Sequence, residues 1–206
     1  MIKHLLPSIK VTLLLSIFLG IAFPVLITAI SQFLFPRQAN GSLIKAKDGS
    51  IIGSELIAQN FKSARYFHPR PSAVAYSGEA SAGTNLGPCS AKLITGFADD
   101  PATSDRDESF SGVRQLLVDY RKENFMQAEE KVPVDAVTRS ASGLDPQISR
   151  ANAILQARRV SRERVLPVSK LIKLINKNSS ERQLGFLGEP CVNVLKLNLD
   201  LDAINI

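Results

Sequence analysis

The chain has 206 residues, 25 Lys plus Arg against 19 Asp plus Glu, a net charge of +6, two cysteines and two histidines. The positive charge is scattered, without the clustered Lys/Arg and interleaved aromatic side chains of a nucleic-acid surface, and this argues against that class of partner. His4 and His68, with Cys89 and Cys191 outside any Cys-x-x-Cys pair, cannot assemble a zinc-type ligand set at the usual spacings.

From Val11 to Pro36 the chain runs 26 residues without an ionisable side chain. As a helix this measures roughly 39 Å, more than the roughly 30 Å hydrocarbon slab, so the segment reads as a transmembrane anchor. Lys3, His4 and Lys10 also resemble the basic start of a cleavable signal peptide. The apolar run continues through Phe33, Leu34 and Phe35 with no small-x-small cleavage site, and a retained anchor is the better reading. Lys3 and Lys10 face Arg37, Lys45 and Lys47 across the span, so local charge leaves the side of the soluble part open.

Within the anchor, Thr12, Ser16, Gly20, Pro24 and Thr28 recur every four residues. Small residues let helices approach closely in lipid, and this stripe is the candidate surface for a membrane partner. Pro24 removes one intrahelical hydrogen bond and is expected to kink the rod. The alternative is a lone helix with ordinary membrane Gly and Pro content.

The remaining 170 or so residues suffice for one domain with a real core. Without Lys3 and Lys10, 23 basic residues face 19 acidic ones, a net +4. Pro36 is expected to end the membrane helix. Ser42–Lys47 and Ser50–Ile52 read as a hairpin around Asp48-Gly49. Pro69 and Pro71 forbid helix across Tyr66–Ser72, and this stretch is expected as a rigid, exposed loop. Ser77–Pro88 is a small-residue loop that lacks the Gly-Lys-Ser/Thr ending of a phosphate cradle. Asp99–Ser109 is acidic and reads as a solvated loop.

A helix is expected from Ser111 to near Glu130 on the spacing of Val113, Leu116, Leu117 and Tyr120. Val132–Val137 reads as a strand and Ser140–Asp145 as a turn. Ser149 reads as the N-cap of a helix to about Arg164, with Arg158, Arg159, Arg162 and Arg164 on a solvated face. A further helix is expected from Pro167 to Asn178. Leu195, Leu197, Leu199 and Leu201 alternate with polar residues as in a half-buried strand. Cys89 and Cys191 could pair in an oxidising compartment, but buried free thiols are the plainer reading. The fold class is therefore α+β: one N-terminal transmembrane helix (1–36), then a single mixed α/β soluble domain (37–206).

The succession Asn40-Gly41-Ser42-Leu43, Gln59-Asn60-Phe61, Tyr66-Phe67-His68-Pro69-Arg70-Pro71-Ser72-Ala73, Asn85-Leu86-Gly87-Pro88, Ser140-Ala141-Ser142-Gly143-Leu144-Asp145-Pro146 and Leu187-Gly188-Glu189 behind a single span resembles the C-subunit family of the Kdp potassium-transporting P-type ATPases. The match covers 1–88 and 132–202. Residues 89–131 are the least family-like, and Arg139 and Arg150 stand where a small residue or proline is more usual.

The resemblance implies a non-catalytic accessory subunit of an ATP-driven potassium uptake pump in the cell membrane. Its partners would be a P-type ATPase subunit, a potassium-channel-like subunit and a small membrane subunit. Consistent with that, the chain has no Asp-Lys-Thr-Gly phosphorylation motif, no Walker-type loop and no potassium-filter motif. The family's subunit is described as a catalytic chaperone that raises the ATP affinity of the hydrolysing subunit, with its domain outside the cytoplasm. A domain there cannot touch cytoplasmic ATP, so such an effect would be allosteric.

No cofactor is expected on this chain beyond ATP acting through the hydrolysing subunit. Were nucleotide contacted directly, Ser142, Gly143, Leu144, Asp145 and Gln156 are the candidates, against the plainer view that the turn only caps the following helix. Tyr66, His68 and Arg70 are the candidate soluble partner contacts. The rival classes are a stand-alone membrane-anchored binding module and a tethered hydrolase built on His68, the latter without a Gly-x-Ser-x-Gly nucleophile motif.

Overall fold

The computed structural model describes residues 2–97 and 109–205. The acidic run from Asp99 to Glu108 lies outside them. The chain divides into two compact units, Met1–Ser54 and Glu55–Ile206.

The first unit is built on α1 (Ile2–Ile17), a π-helical turn (Phe18–Ala22) and α2 (Phe23–Leu34). Lys3–Leu34 is a helix long and apolar enough to cross a membrane. The π turn sits just before Pro24, and Phe23 N–H bonds to Phe18 O. Proline has no N–H for the Gly20 carbonyl and its ring crowds that carbonyl, so widening the preceding turn accommodates it without ending the helix. Phe35 leaves helical geometry (φ −136°, ψ 54°), as the residue before a proline tends to. The four-residue α3 (Pro36–Ala39) follows.

β1 (Leu43–Lys45) and β2 (Ile51–Ser54) then pair antiparallel around the expected Asp48-Gly49 turn. Gly49 has φ 85°, a conformation glycine adopts without penalty. Asp48 Oδ1 accepts from Ser50 N at 2.9 Å and Ser50 Oγ at 2.7 Å.

The second unit contains α4 (Ala91–Thr95), β3 (Gly96–Phe97), β4 (Phe110–Ser111), α5 (Val113–Glu123), α6 (Val134–Val137), β5 (Gln147–Ser149), α7 (Arg150–Arg164), α8 (Val168–Lys177), β6 (Ser179–Ser180), β7 (Cys191–Asn193) and α9 (Val194–Asp202). β5, β7 and β6 form an antiparallel sheet in that order. The main core gathers Phe67, Ile148, Ala153, Ala157, Val160, Leu171, Ile175, Val192, Val194, Leu197 and Leu201. A smaller cluster joins Tyr120, Ala136 and Val137 to the apolar face of α5. Ser149 caps α7 as expected, accepting from Asn152 N at 3.1 Å, and α8 occupies its expected place.

Several expectations are corrected. Residues 194–202 are helical and not a strand. The leucine alternation hides a second spacing, because Val194, Leu197, Asn198 and Leu201 are buried together at helical intervals. Asn198 masked that stripe by being polar.

Val134–Val137 is a helical turn, not a strand, held by Asp135, whose carboxylate accepts from Ser149 N, Ser149 Oγ and Asn152 Nδ2. α5 stops at Glu123, short of Glu130, because Phe125 turns left-handed (φ 55°) and Met126 N bonds back to Arg121 O at 2.9 Å. The α7 arginines do not share one solvated face, since Arg159 is 1% exposed and the Arg164 side chain 3%. Both thiols are free as expected but not buried: Cys89 is exposed and Cys191 half-buried.

Asn198 provides a test of this packing. Asn198→Leu preserves volume but strips the partners from a buried N–H and a buried C=O of Phe67. A loss of about 2–6 kcal/mol is expected, read as a lowered thermal midpoint of the detergent-purified chain.

Candidate functional site

The segment expected to be an exposed loop is instead threaded through the second unit, and Phe67 is fully buried. Two prolines keep it extended, and among the described residues no strand lies beside it to pair its peptide groups. Side-chain amides take that role. Asn198 Oδ1 accepts from Phe67 N and Asn198 Nδ2 donates to Phe67 O, each at 2.9 Å. Gln156 Oε1 accepts from His68 N at 2.7 Å and Gln156 Nε2 donates to His68 O at 3.0 Å. Each carboxamide thus imitates a neighbouring strand's peptide bond, as burial of backbone polar groups requires.

Arg159 completes the clamp from α7. Its Nη1 donates to Ala64 O at 2.6 Å and Tyr66 O at 2.8 Å, its Nε to Asn124 Oδ1 at 3.2 Å and its Nη2 to Gln156 Oε1 at 3.0 Å. Burial pulls the guanidinium below its ordinary value, and the Glu123 carboxylate, 3.8 Å from Nε, opposes that.

Beside this clamp opens a cleft of about 340 Å³, walled by Phe61, Pro69, Pro71, Tyr76 and Leu116 and floored by His68, Tyr120, Glu123, Asn152 and Gln156. His68 Nδ1 lies 2.9 Å from Glu123 Oε1, and Nε2 lies 3.0 Å from Ser63 O. A proton on either ring nitrogen therefore finds an acceptor. Burial raises the Glu123 carboxyl, but the His68 hydrogen bond and the His68 and Arg159 charges outweigh it and hold the group below its usual 4.5. Burial, the larger cause, and the Asp135 charge push the Tyr120 hydroxyl up. It donates to Asn152 Oδ1 at 2.8 Å.

The sequence candidates are dispersed. His68 and Gln156 meet at the cleft, which Ser142, Gly143, Leu144 and Asp145 do not line. All four hydrogen-bonding positions of the Gln156 amide are engaged, the remaining one by Asn152 Oδ1 at 2.9 Å. The 142–145 turn closes on other loops. Gly143 O accepts from Ser72 Oγ at 2.7 Å, Leu144 O from Ala58 N at 2.9 Å and Ser142 O from Ala82 N at 3.1 Å. Asp145 pairs with Arg70 at 3.1 Å. Gly143 has φ 69°, and a Cβ there would lie 2.6 Å from Val74 Cγ2.

Tyr66 faces inward, its hydroxyl donating to Asp202 Oδ2 at 3.0 Å while Arg164 stacks 4.7 Å over its ring. In the first unit, Thr12, Ser16 and Gly20, with Leu15 and Leu19, line a shallow groove along the helix. Pro24 and Thr28 continue the same four-residue repeat.

Glu123, Tyr120, Asp135, Asn152, Arg159 and Asn198 were not anticipated. The available signal was Asn152, Gln156 and Arg159 at i, i+4 and i+7 along a helix whose apolar face is narrow, which places polar groups on a buried side. Of the two unusual arginines, Arg139 stacks 4.1 Å over Phe110 and donates to Ser111 O at 3.0 Å. It ties the start of the 140–145 turn to β4. Arg150 donates to Asn176 Oδ1 at 3.2 and 2.7 Å.

Among the described residues, one helix long and apolar enough to cross a membrane precedes a mixed helix and strand domain, and this places the chain in the α+β class. The family description "K+-transporting ATPase, c chain" (KdpC) matches residues 5–203. The chain is similar to the potassium-transporting ATPase KdpC subunit of Mycobacterium tuberculosis (strain ATCC 25618 / H37Rv), 44% identical over 98% of this chain and 99% of that one. The protein of that name from Methylococcus capsulatus is 45% identical over 99% and 100%, and that of Acidobacterium capsulatum 42% over 98% and 100%. The chain belongs to the KdpC family and is a subunit of a potassium-transporting ATPase.

Two tests follow from the clamp and its carboxylate. Arg159→Met takes the donor from Ala64 O, Tyr66 O and Asn124 Oδ1, while Gln156 Oε1 keeps its bond from His68 N, and should cost about 3–5 kcal/mol, seen as a fall in thermal midpoint. The folded state holds the Glu123 carboxyl below its ordinary value, so its stabilising contribution is full above about pH 4.5 and fades as pH falls through the lower folded value. Glu123→Gln should therefore narrow the gap to wild type on the acid side, which thermal midpoints taken from neutral to acid pH would show.

Proposed function

We propose that this chain is a non-catalytic accessory subunit of an ATP-driven potassium uptake pump, stabilising the assembly and raising the ATP affinity of the hydrolysing subunit. The observation that carries this is family membership over nearly the whole chain, joined to the use made of its polar residues. Around the cleft, Gln156, Asn152, Tyr120, Asp135 and Arg159 spend their hydrogen bonds holding the fold. Hydrolysis and ion conduction then belong to the partners, a P-type ATPase subunit and a potassium-channel-like subunit, with a small membrane subunit alongside.

The anchor is inserted in the cell membrane with residues 1–36 as cytoplasmic terminus and span, and 37–206 face the outside. The stripe Thr12, Ser16, Gly20, Pro24 and Thr28 docks against a partner helix, since small side chains permit the close backbone approach that drives association in lipid. The groove lined by Thr12, Ser16 and Gly20 supports this. Tyr66, His68 and Arg70 contribute to the soluble interface through the shape they hold.

ATP affinity is raised without contact to nucleotide. The full engagement of the Gln156 amide and the closure of Ser142, Gly143, Leu144 and Asp145 on neighbouring loops support an indirect effect. It is exerted by favouring one global state of the pump, a coupling typically of about 5–150-fold in affinity.

Three measurements test this. An affinity-tagged chain should retain an ATPase and a channel-like subunit in mild detergent, and a chain that stays monomeric in their presence would refute the reading. Gly20→Leu should weaken that retention by about tenfold or more while leaving the soluble unit's thermal midpoint unchanged. Pump lacking this chain should show a raised KM for ATP, and an unchanged KM would remove the chaperone role.

A further inference from the structure

Between β6 and β7 the chain turns through Leu184-Gly185-Phe186-Leu187. Leu184 is 84% exposed, Phe186 68% and Leu187 48%. None belongs to either apolar core. A single exposed leucine needs no explanation, but three large apolar side chains within four residues at one tip do.

The tip is also held firmly. Gln183 N donates to Leu187 O at 2.8 Å and Leu187 N to Gln183 O at 2.9 Å, with Gly185 N bonded to Arg182 O at 3.1 Å. Arg182 Nη2 braces the base on both carboxylate oxygens of Glu189, each at 2.8 Å. Leu184 stands at φ 53°, a left-handed conformation that leucine rarely adopts, immediately ahead of Gly185 (φ 81°), and Gly188 (φ 79°) closes the turn. A strained backbone that presents apolar groups to solvent is maintained by its own turn and not by packing beneath it.

Two occupants suit an apolar tip on an anchored protein: the bilayer and a protein pocket. Elements that settle into a membrane surface carry surplus Lys and Arg, which anionic headgroups attract. Here 181–189 holds Glu181, Arg182 and Glu189, a net charge of −1. A preorganised cluster with Leu and Phe anchors and a balanced rim suits a protein pocket, where little conformational freedom is left to lose on docking. We propose that the Leu184–Leu187 tip is a wedge that seats in an uncharged, concave pocket on another protein subunit of the same pump. This rests on the reading of the chain as an assembled pump subunit.

The test uses the full-length chain in the assembled pump, with a photoreactive phenylalanine analogue replacing Leu184 and, as control, the exposed Lys173 of α8. The Leu184 probe should cross-link to a pump subunit and the Lys173 probe should not. A cross-link only to phospholipid, only to a second copy of this chain, or to nothing overturns the proposal. The variant Leu184→Asp with Phe186→Asp should keep the wild-type thermal midpoint, since these side chains support no core, yet leave the detergent-solubilised complex about tenfold faster. An unchanged rate counts against the wedge. If the unmodified chain copurifies with the pump but the Leu184 probe finds no subunit, the wedge alone fails; if the unmodified chain does not copurify, the assembly reading falls and takes the wedge with it.

Discussion

An extended segment with no strand partner among the described residues runs through the interior of the second unit, and the surrounding architecture answers that constraint. The peptide groups of Phe67 and His68 are buried or half-buried where no ladder reaches them. Asn198 from α9 and Gln156 from α7 supply amide pairs in place of a neighbouring strand. Arg159 collects the carbonyls of Ala64 and Tyr66 just upstream. Removing any one of these side chains leaves buried or half-buried peptide groups without their partner, and this explains why polar residues occupy the inner faces of two helices.

The same clamp draws in the next layer. Gln156 bonds to Asn152, Asn152 to Tyr120 and Asp135, and Asp135 to the N-cap Ser149. A continuous chain of hydrogen bonds thereby joins α5, α6 and α7 around one cleft. Such a network is high-stakes, because partial satisfaction is worse than an apolar core. Glu123 and His68 form its solvent-facing end.

For a subunit of a potassium-transporting ATPase, this economy has a functional meaning. The polar groups that would suggest chemistry in a sequence are engaged in holding a shape, while apolar groups are turned outward at the anchor helix and at the Leu184–Leu187 tip. Under the assembly role proposed above, this distribution serves a component that works through contact: a packed interior and exposed apolar surfaces that other chains can cover.

Several elements were legible from residues alone because their signals are local. The long uncharged run specified a membrane-length helix, Asp48-Gly49 the hairpin turn, Ser149 the start of α7 and the Leu171/Ile175 spacing α8. Each depends on groups within one or two turns of each other, and the ordered string of motifs likewise carried the family. Other features depend on groups far apart in sequence. Asn198 meets Phe67 across 131 residues and Gln156 meets His68 across 88. No local pattern shows that a polar residue is buried for a distant peptide group, so the whole of 191–201 reads as a strand, although only its first three residues form one, and Arg159 reads as solvated. The sequence by itself determined the membrane-length helix, the α+β class and the family. Only the tertiary structure decided which polar side chains lie inside and which apolar ones are left out, because both depend on what the folded chain places beside them.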